Sequence, residues 1–203
     1  AGQMPRLLGL AQASQYYRTY PEADVNNQFT NEGNEIAFGT IGNASTSEGL
    51  FFEAINAAGV MQVPMVMSVW DDGYGISVPA KYQTTKEDIS KILSGFQRTE
   101  TEKGFEIITA RGWNYVELVE AYEEAEKVAR EQHVPVLVHI KEVTQPQGHS
   151  TSGSHERYKS AERLQWEADF DCVLQMKKWI LDPEHPHKIA DESELEAIEK
   201  EVI

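Results

Sequence analysis

Short apolar runs alternate with amphipathic stretches over most of the chain. Residues 35–41 are mostly apolar and close on Gly42, a pattern that suits a buried parallel strand. Residues 45–59 follow with Phe51, Ala54, Ile55 and Ala58 in one stripe, and Ser45 stands three positions before Glu48, the capping-box spacing of a helix start. Residues 63–70 read as the next strand, with Pro64 near its first position where a missing N–H is tolerated. Ile89, Ile92, Leu93 and Phe96 are in helical phase within 85–96, and residues 105–110 read as a strand. Leu118, Val119, Tyr122 and Val128 predict an amphipathic helix over 115–131, and residues 134–140 a further strand.

Strands separated by helices of this length need crossover connections, so the expected fold is α/β: a parallel sheet with helices on both faces. The pattern fails at both ends. Residues 1–34 are too polar to assign. Residues 144–158 are rich in Gly, Ser and His without periodicity, and a stretch of that kind inside a domain is either disordered or functional. Short helices close the chain, around Leu164, over 170–181 and over 193–202, which gives an expected main domain of 1–181 and an acidic helical tail of 182–203.

Composition narrows the function. The chain has 203 residues, enough to bury about 70% of its unfolded surface in a core. Its formal net charge is −15, which argues against a nucleic-acid surface, since phosphate contacts need a basic face. Eight acids against two lysines fall in the tail, a pattern of a solvated helix or of a segment that docks on a basic partner. The single cysteine, Cys172, excludes an intrachain disulfide framework and fits a reducing, cytoplasmic compartment. No apolar run is long enough to span a membrane, and the first residues lack the basic leader and apolar block of a signal peptide. The chain opens on Ala1 rather than Met, as a fragment or processed piece does.

Ligands of open parallel sheets bind at the carboxyl ends of strands, which directs attention to two loops. The first, Gly42-Asn43-Ala44-Ser45, is small enough for backbone N–H groups to approach an anion at a helix start. The second, Asp71-Asp72-Gly73-Tyr74-Gly75, is acidic. Hard cations take carboxylate, amide and carbonyl oxygens together, and Asn43, Asp72 and the Tyr74 carbonyl offer one of each.

Residues 42–75 resemble the thiamine diphosphate motif, and the chain is similar to the alpha subunit, or the alpha-like half of a fused protein, of the 2-oxo acid dehydrogenase decarboxylating component. Gly2-Gln3-Met4-Pro5 resembles the family's glycine-rich run ahead of the first strand. Ser47-Glu48-Gly49 and residues 53–58 resemble its next helix, Gly148-His149-Ser150-Thr151-Ser152 its His-Ser loop, and residues from Phe170 its C-terminal helices. The similarity covers the later portion of the family's subunit.

The resemblance implies a thiamine diphosphate-binding fold with C-terminal helices, and thiamine diphosphate with Mg2+ as cofactors. Metal ligation falls on Asn43, Asp72 and the Tyr74 carbonyl, with acid and amide exchanged relative to the family but the charge at the ion kept. Gly42, Asn43, Ala44, Ser45, Asp72, Tyr74, Ile76 and His149 fall on cofactor-binding positions, Ile76 as an apolar prop and His149 as the residue assisting acyl transfer. Trp70 stands where the family often has arginine, and Ala44 replaces a glycine. Ser150 aligns with a serine that kinases modify in some members, whereas His155, His185 and His187 match no role. The implied activity is oxidative decarboxylation of a 2-oxo acid, pyruvate or branched-chain, with acyl transfer to a lipoyl group. The implied partners are a beta subunit or fused beta-like half, which carries the activating glutamate, and a lipoyl-bearing acyltransferase. A transketolase-type thiamine enzyme and an inactive structural partner domain are the alternatives.

Overall fold

The computed structural model describes residues 1–26, 28–149, 155–184, 186 and 189–202. Contacts divide the chain into two compact units, one of Ala1–Gly112 with Val116–Val143 and one of Trp113–Tyr115 with Thr144–Ile203.

The first unit is an α/β layer structure, as the alternation predicts. Its elements are α1 (Met4–Thr19), β1 (Ala37–Gly42), α2 (Gly49–Met61), β2 (Met65–Trp70), the short β3 (Tyr74–Gly75) and β4 (Val78–Pro79), α3 (Ile89–Ile92), β5 (Glu106–Arg111), α4 (Tyr115–Gln132) and β6 (Val136–Lys141). Four strands form one parallel sheet in the order β1-β2-β6-β5. Side chains of a strand alternate between faces. Met65, Met67, Val69 and Leu137 accordingly join α1, α2 and α3 in one core, and Val66, Val136, Val138 and Ile140 join α4 in the other. Residues 65–69 are buried throughout, which explains why β2 reads as a continuous rather than alternating run.

Several local expectations change. Ser45 does not cap α2: it lies in a 3-10 turn over Ala44–Ser47, and the helix starts at Gly49 after Glu48 in extended conformation. The stripe of Phe51, Ala54, Ile55 and Ala58 is buried as expected. Residues 85–96 are not one helix. Lys86 and Glu87 have positive φ and Asp88 is extended, so only the single turn Ile89–Ile92 is α-helical between two 3-10 segments. In α4 Val128 is buried and Leu118 and Tyr122 pack against the core as expected, Val119 is exposed, and Ala121, Ala125 and Ala129 complete the buried face. Residues 2–5 precede the first strand as expected and lead into α1, with Gln3 at its N-cap and Pro5 in its first turn.

The second unit contains α5 (Ala161–Asp169), α6 (Cys172–Ile180) and α7 (Glu192–Val202). Side chains of Ser160 and Asp171 accept the Arg163 and Leu174 N–H groups and so cap α5 and α6. The Lys159 ammonium lies 2.7 and 2.8 Å from the two Glu167 carboxylate oxygens, a buried pair joined by Arg163 at 2.8 Å. Trp113 and Trp166 both pack on Phe170. No described residue of α7 is buried. Ser150, Thr151 and Ser152 of the His-Ser stretch, and His185 and His187, lie outside the described residues. Among the described residues no helix is long and apolar enough to cross a membrane.

Candidate functional site

The two loops singled out in the sequence leave the sheet side by side. Gly42, the last residue of β1, pairs in register with Trp70, the last of β2. The ladder runs one step further, with the Asn43 N–H donating to the Trp70 carbonyl at 3.0 Å. The next residue of the second loop, Asp71, is tied to the other neighbour of β2 through its N–H to the Ile140 carbonyl at 2.8 Å. A Cβ placed on Gly75 would lie 2.7 Å from the Ala44 methyl, so the loops touch, and only glycine permits that approach.

Within this pair of loops, Asn43 is 4% exposed and Asp72 is 9% exposed. The Thr46 hydroxyl donates to the Asn43 carbonyl at 2.6 Å and fixes the turn. The amide nitrogen of Asn43, in contrast, is buried without a hydrogen-bond partner among the described residues. An unsatisfied buried amide costs on the order of 1–3 kcal/mol, so it marks a place built for a further polar contact. Asp72 accepts the Tyr74 N–H at 3.0 Å, and Asp71 the Gly73 N–H at 2.8 Å, which closes the second loop on itself at Gly73, φ +79°. Gly42 and Ser45 line the first loop, with Gly42 open to solvent and Ser45 half-buried in the 3-10 turn.

Ile76 is 59% exposed and has φ +60°. It is the first of the two residues joining β3 to β4, a position where a tight hairpin demands positive φ and where glycine is usual. A β-branched side chain held there and left in solvent is not serving a core. Trp70 is also exposed, and its indole N–H donates to the Ser68 hydroxyl at 3.0 Å.

His149 belongs to the second unit, where it is exposed beside Gly148. Gly148 has φ +73°, and a Cβ there would lie 2.6 Å from the His155 ring.

Two features were not singled out in the sequence. Gln83 has a buried side-chain oxygen without a hydrogen-bond partner among the described residues, and its amide covers Gly75. His139, on β6, bonds to Asp71; in the sequence it is a lone histidine between apolar residues 134–138 and Ile140.

Among the described residues no group of three or more His, Cys, Asp or Glu could hold a metal ion. An ion at this sheet end would therefore draw on amide and carbonyl oxygens beside Asp72. The oxygens present, of the Asp72 carboxylate, the Asn43 amide and the main chain, are of the hard type that Mg2+ takes, while the unpartnered Asn43 nitrogen is a donor and suits a phosphate oxygen.

A family model described as "Dehydrogenase E1 component" matches residues 1–203. The chain belongs to that family. Among relatives, "Pyruvate dehydrogenase E1 component subunit alpha" of Rickettsia bellii is 25% identical over 201 residues, 99% of this chain and 54% of its own length. The chloroplastic subunit alpha-3 of the same component in Arabidopsis thaliana is 25% identical over 199 residues, covering 98% of this chain and 42% of the relative. "2-oxoisovalerate dehydrogenase subunit alpha 1, mitochondrial", also of Arabidopsis thaliana, is 29% identical over 144 residues, 70% of this chain and 29% of the relative. The resemblance to E1 alpha subunits is thus borne out, and this chain spans about half or less of the length of these relatives.

Proposed function

We propose that this chain supplies the diphosphate- and metal-binding half of a thiamine diphosphate site in a 2-oxo acid dehydrogenase. The observation that carries the proposal is the buried side-chain nitrogen of Asn43, a donor without a partner among the described residues and so suited to a diphosphate oxygen, on a loop that touches the Asp72 loop. Asn43, Asp72 and the Tyr74 carbonyl would hold Mg2+, which needs hard oxygen donors and tolerates the exchange of acid and amide because one formal charge remains. Gly42, Ala44 and Ser45 leave room for backbone N–H groups to receive diphosphate oxygens, and the first turn of α2 adds a favourable partial charge. Ile76 is available as an apolar prop for the cofactor because it is exposed rather than packed. His149 would move or hold a proton during acyl transfer to a lipoyl group, a task suited to an imidazole near neutral pH.

Thiamine diphosphate, when bound, supplies the electron sink that decarboxylation of a 2-oxo acid requires. The activating glutamate is assigned to a beta subunit or fused beta-like half, so this chain alone should not turn over. The relatives named for pyruvate and 2-oxoisovalerate support a 2-oxo acid as substrate without choosing between the two.

Calorimetric titration of thiamine diphosphate in the presence of Mg2+ tests the assignment. The chain is expected to bind, and Asp72→Ala to abolish the Mg2+-dependent part of binding. Binding unaffected by that substitution rejects the metal ligands named here. No binding by the unmodified chain favours the inactive structural domain. With the beta portion restored, rates on pyruvate and on branched-chain 2-oxo acids identify the substrate.

A further inference from the structure

We propose that His139 is the positioning residue of the Asp72 loop, holding it through a chain of hydrogen bonds that crosses the carboxyl end of the sheet. The inference rests on the cofactor reading for its functional consequence but not for its structural content. His139 is 1% exposed in β6, between the apolar Val138 and Ile140. A buried imidazole is tolerated when both ring nitrogens are satisfied, and here they are. Nε2 lies 2.9 Å from Asp71 Oδ2 and is the donor, since a carboxylate oxygen only accepts. Nδ1 accepts the Ser90 N–H at 3.4 Å and lies 3.0 Å from the Ser90 hydroxyl oxygen.

The chain continues on both sides. The Ser90 hydroxyl donates to Asp88 Oδ1 at 2.7 Å, and Lys141 Nζ donates to Asp88 Oδ2 at 2.8 Å. On the other side Asp71 receives the Gly73 N–H with its second oxygen. Backbone bonds tie Asp71 to the same sheet end: its N–H donates to the Ile140 carbonyl, and its carbonyl accepts the Val143 N–H at 3.0 Å. Asp71 is therefore clamped by main chain and side chain together, immediately before Asp72. The side-chain clamp bears most directly on how the loop turns after residue 71, because one carboxylate joins His139 of β6 to the Gly73 N–H. Lys141, Asp88 and Ser90 set the ring's orientation from α3 and β6, and the ring passes that orientation to the loop.

Two isosteric substitutions separate a positioning role from a purely structural one. A glutamine amide reaches where Nε2 sits, and an asparagine amide only where Nδ1 sits. His139→Gln thus keeps the Asp71 contact and loses Ser90, and His139→Asn does the reverse. Amide hydrogen exchange is read at Gly73 and Tyr74 in the ligand-free chain, and thiamine diphosphate with Mg2+ is titrated into each variant. His139→Asn should speed exchange at these two amides and weaken the affinity by at least about tenfold, as loss of a supporting contact behind a ligand does. His139→Gln should stay close to the unmodified chain in both. Equal exchange in the two variants overturns the proposal, and so does faster exchange with unchanged affinity. If His139→Asn does not fold, Asp71→Ala cuts the same contact from the loop side and should give the same fast exchange; exchange that stays slow there also overturns it. The split in exchange with no cofactor binding by the unmodified chain supports the clamp and rejects the cofactor reading instead.

Discussion

Ile76 combines an exposed branched side chain with a left-handed backbone, and each makes the other harder to explain by folding alone. Holding a non-glycine residue there costs about 1–3 kcal/mol. Ile76→Gly is therefore expected to raise folding stability by up to about 1 kcal/mol, once glycine's greater freedom in the unfolded chain is set against the relief. The same change should weaken thiamine diphosphate binding, because the apolar prop is gone. Thermal melting and calorimetry on one preparation check both halves. Which residues form the site was partly legible beforehand. Asn43 and Asp72 could be found because their loops follow apolar runs and offer hard oxygens. His139 could not, because a lone histidine in a strand carries no sign of the face it occupies; its role emerges only once β6 is placed beside β2.

The parallel sheet was readable because β2 and β6 are mostly apolar runs, interrupted at Ser68 and at His139, and α2 carries a clean stripe. The first helix was not. Its buried positions are Met4, Leu7, Ala11 and Ser14, a seam of narrowing side chains that ends in a hydroxyl donating to the Gly33 and Glu35 carbonyls, so it gives little apolar signal. Residues 85–96 misled for the opposite reason. The apolar phase is real, with Ile89 and Leu93 buried, yet Asp88 breaks the helix to cap its next turn through the Lys91 N–H at 3.0 Å. Burial would raise the Asp88 carboxyl, but hydrogen bonds from Lys141, Ser90 and the Lys91 N–H outweigh it and hold the group well below the ordinary value of 3.8. A carboxyl depressed in the folded state stabilises fully above its unfolded value and loses that contribution as pH falls through the folded one. Acidification below about pH 4 should therefore lower the melting temperature less steeply in Asp88→Asn than in the unmodified chain.

The chain as a whole divides the proposed work between its two units. Asn43, Asp72, Tyr74 and Ile76 lie in the first, and His149 in the second, in the stretch where periodicity gave no help and where residues 150–154 are not described. His149→Ala should accordingly spare most of the affinity for thiamine diphosphate. In the enzyme reassembled with its beta portion it should slow acyl transfer to a lipoyl substrate by about 10²–10⁴-fold, the usual worth of a positioned acid or base. A loss of affinity as large as that of Asp72→Ala would place this histidine among the primary anchors instead.

The end-to-end pairing of Gly42 with Trp70 has a consequence for how such a protein can change over time. Because neighbouring side chains on a strand point to opposite sides, removing one residue from the middle of β1 would turn Asn43 away from its counterpart while leaving the loop sequence intact. Deletions in the strand should thus be far more damaging than substitutions at the loop tips. That asymmetry lets the two tips trade an acid for an amide as long as the rails beneath them keep their length.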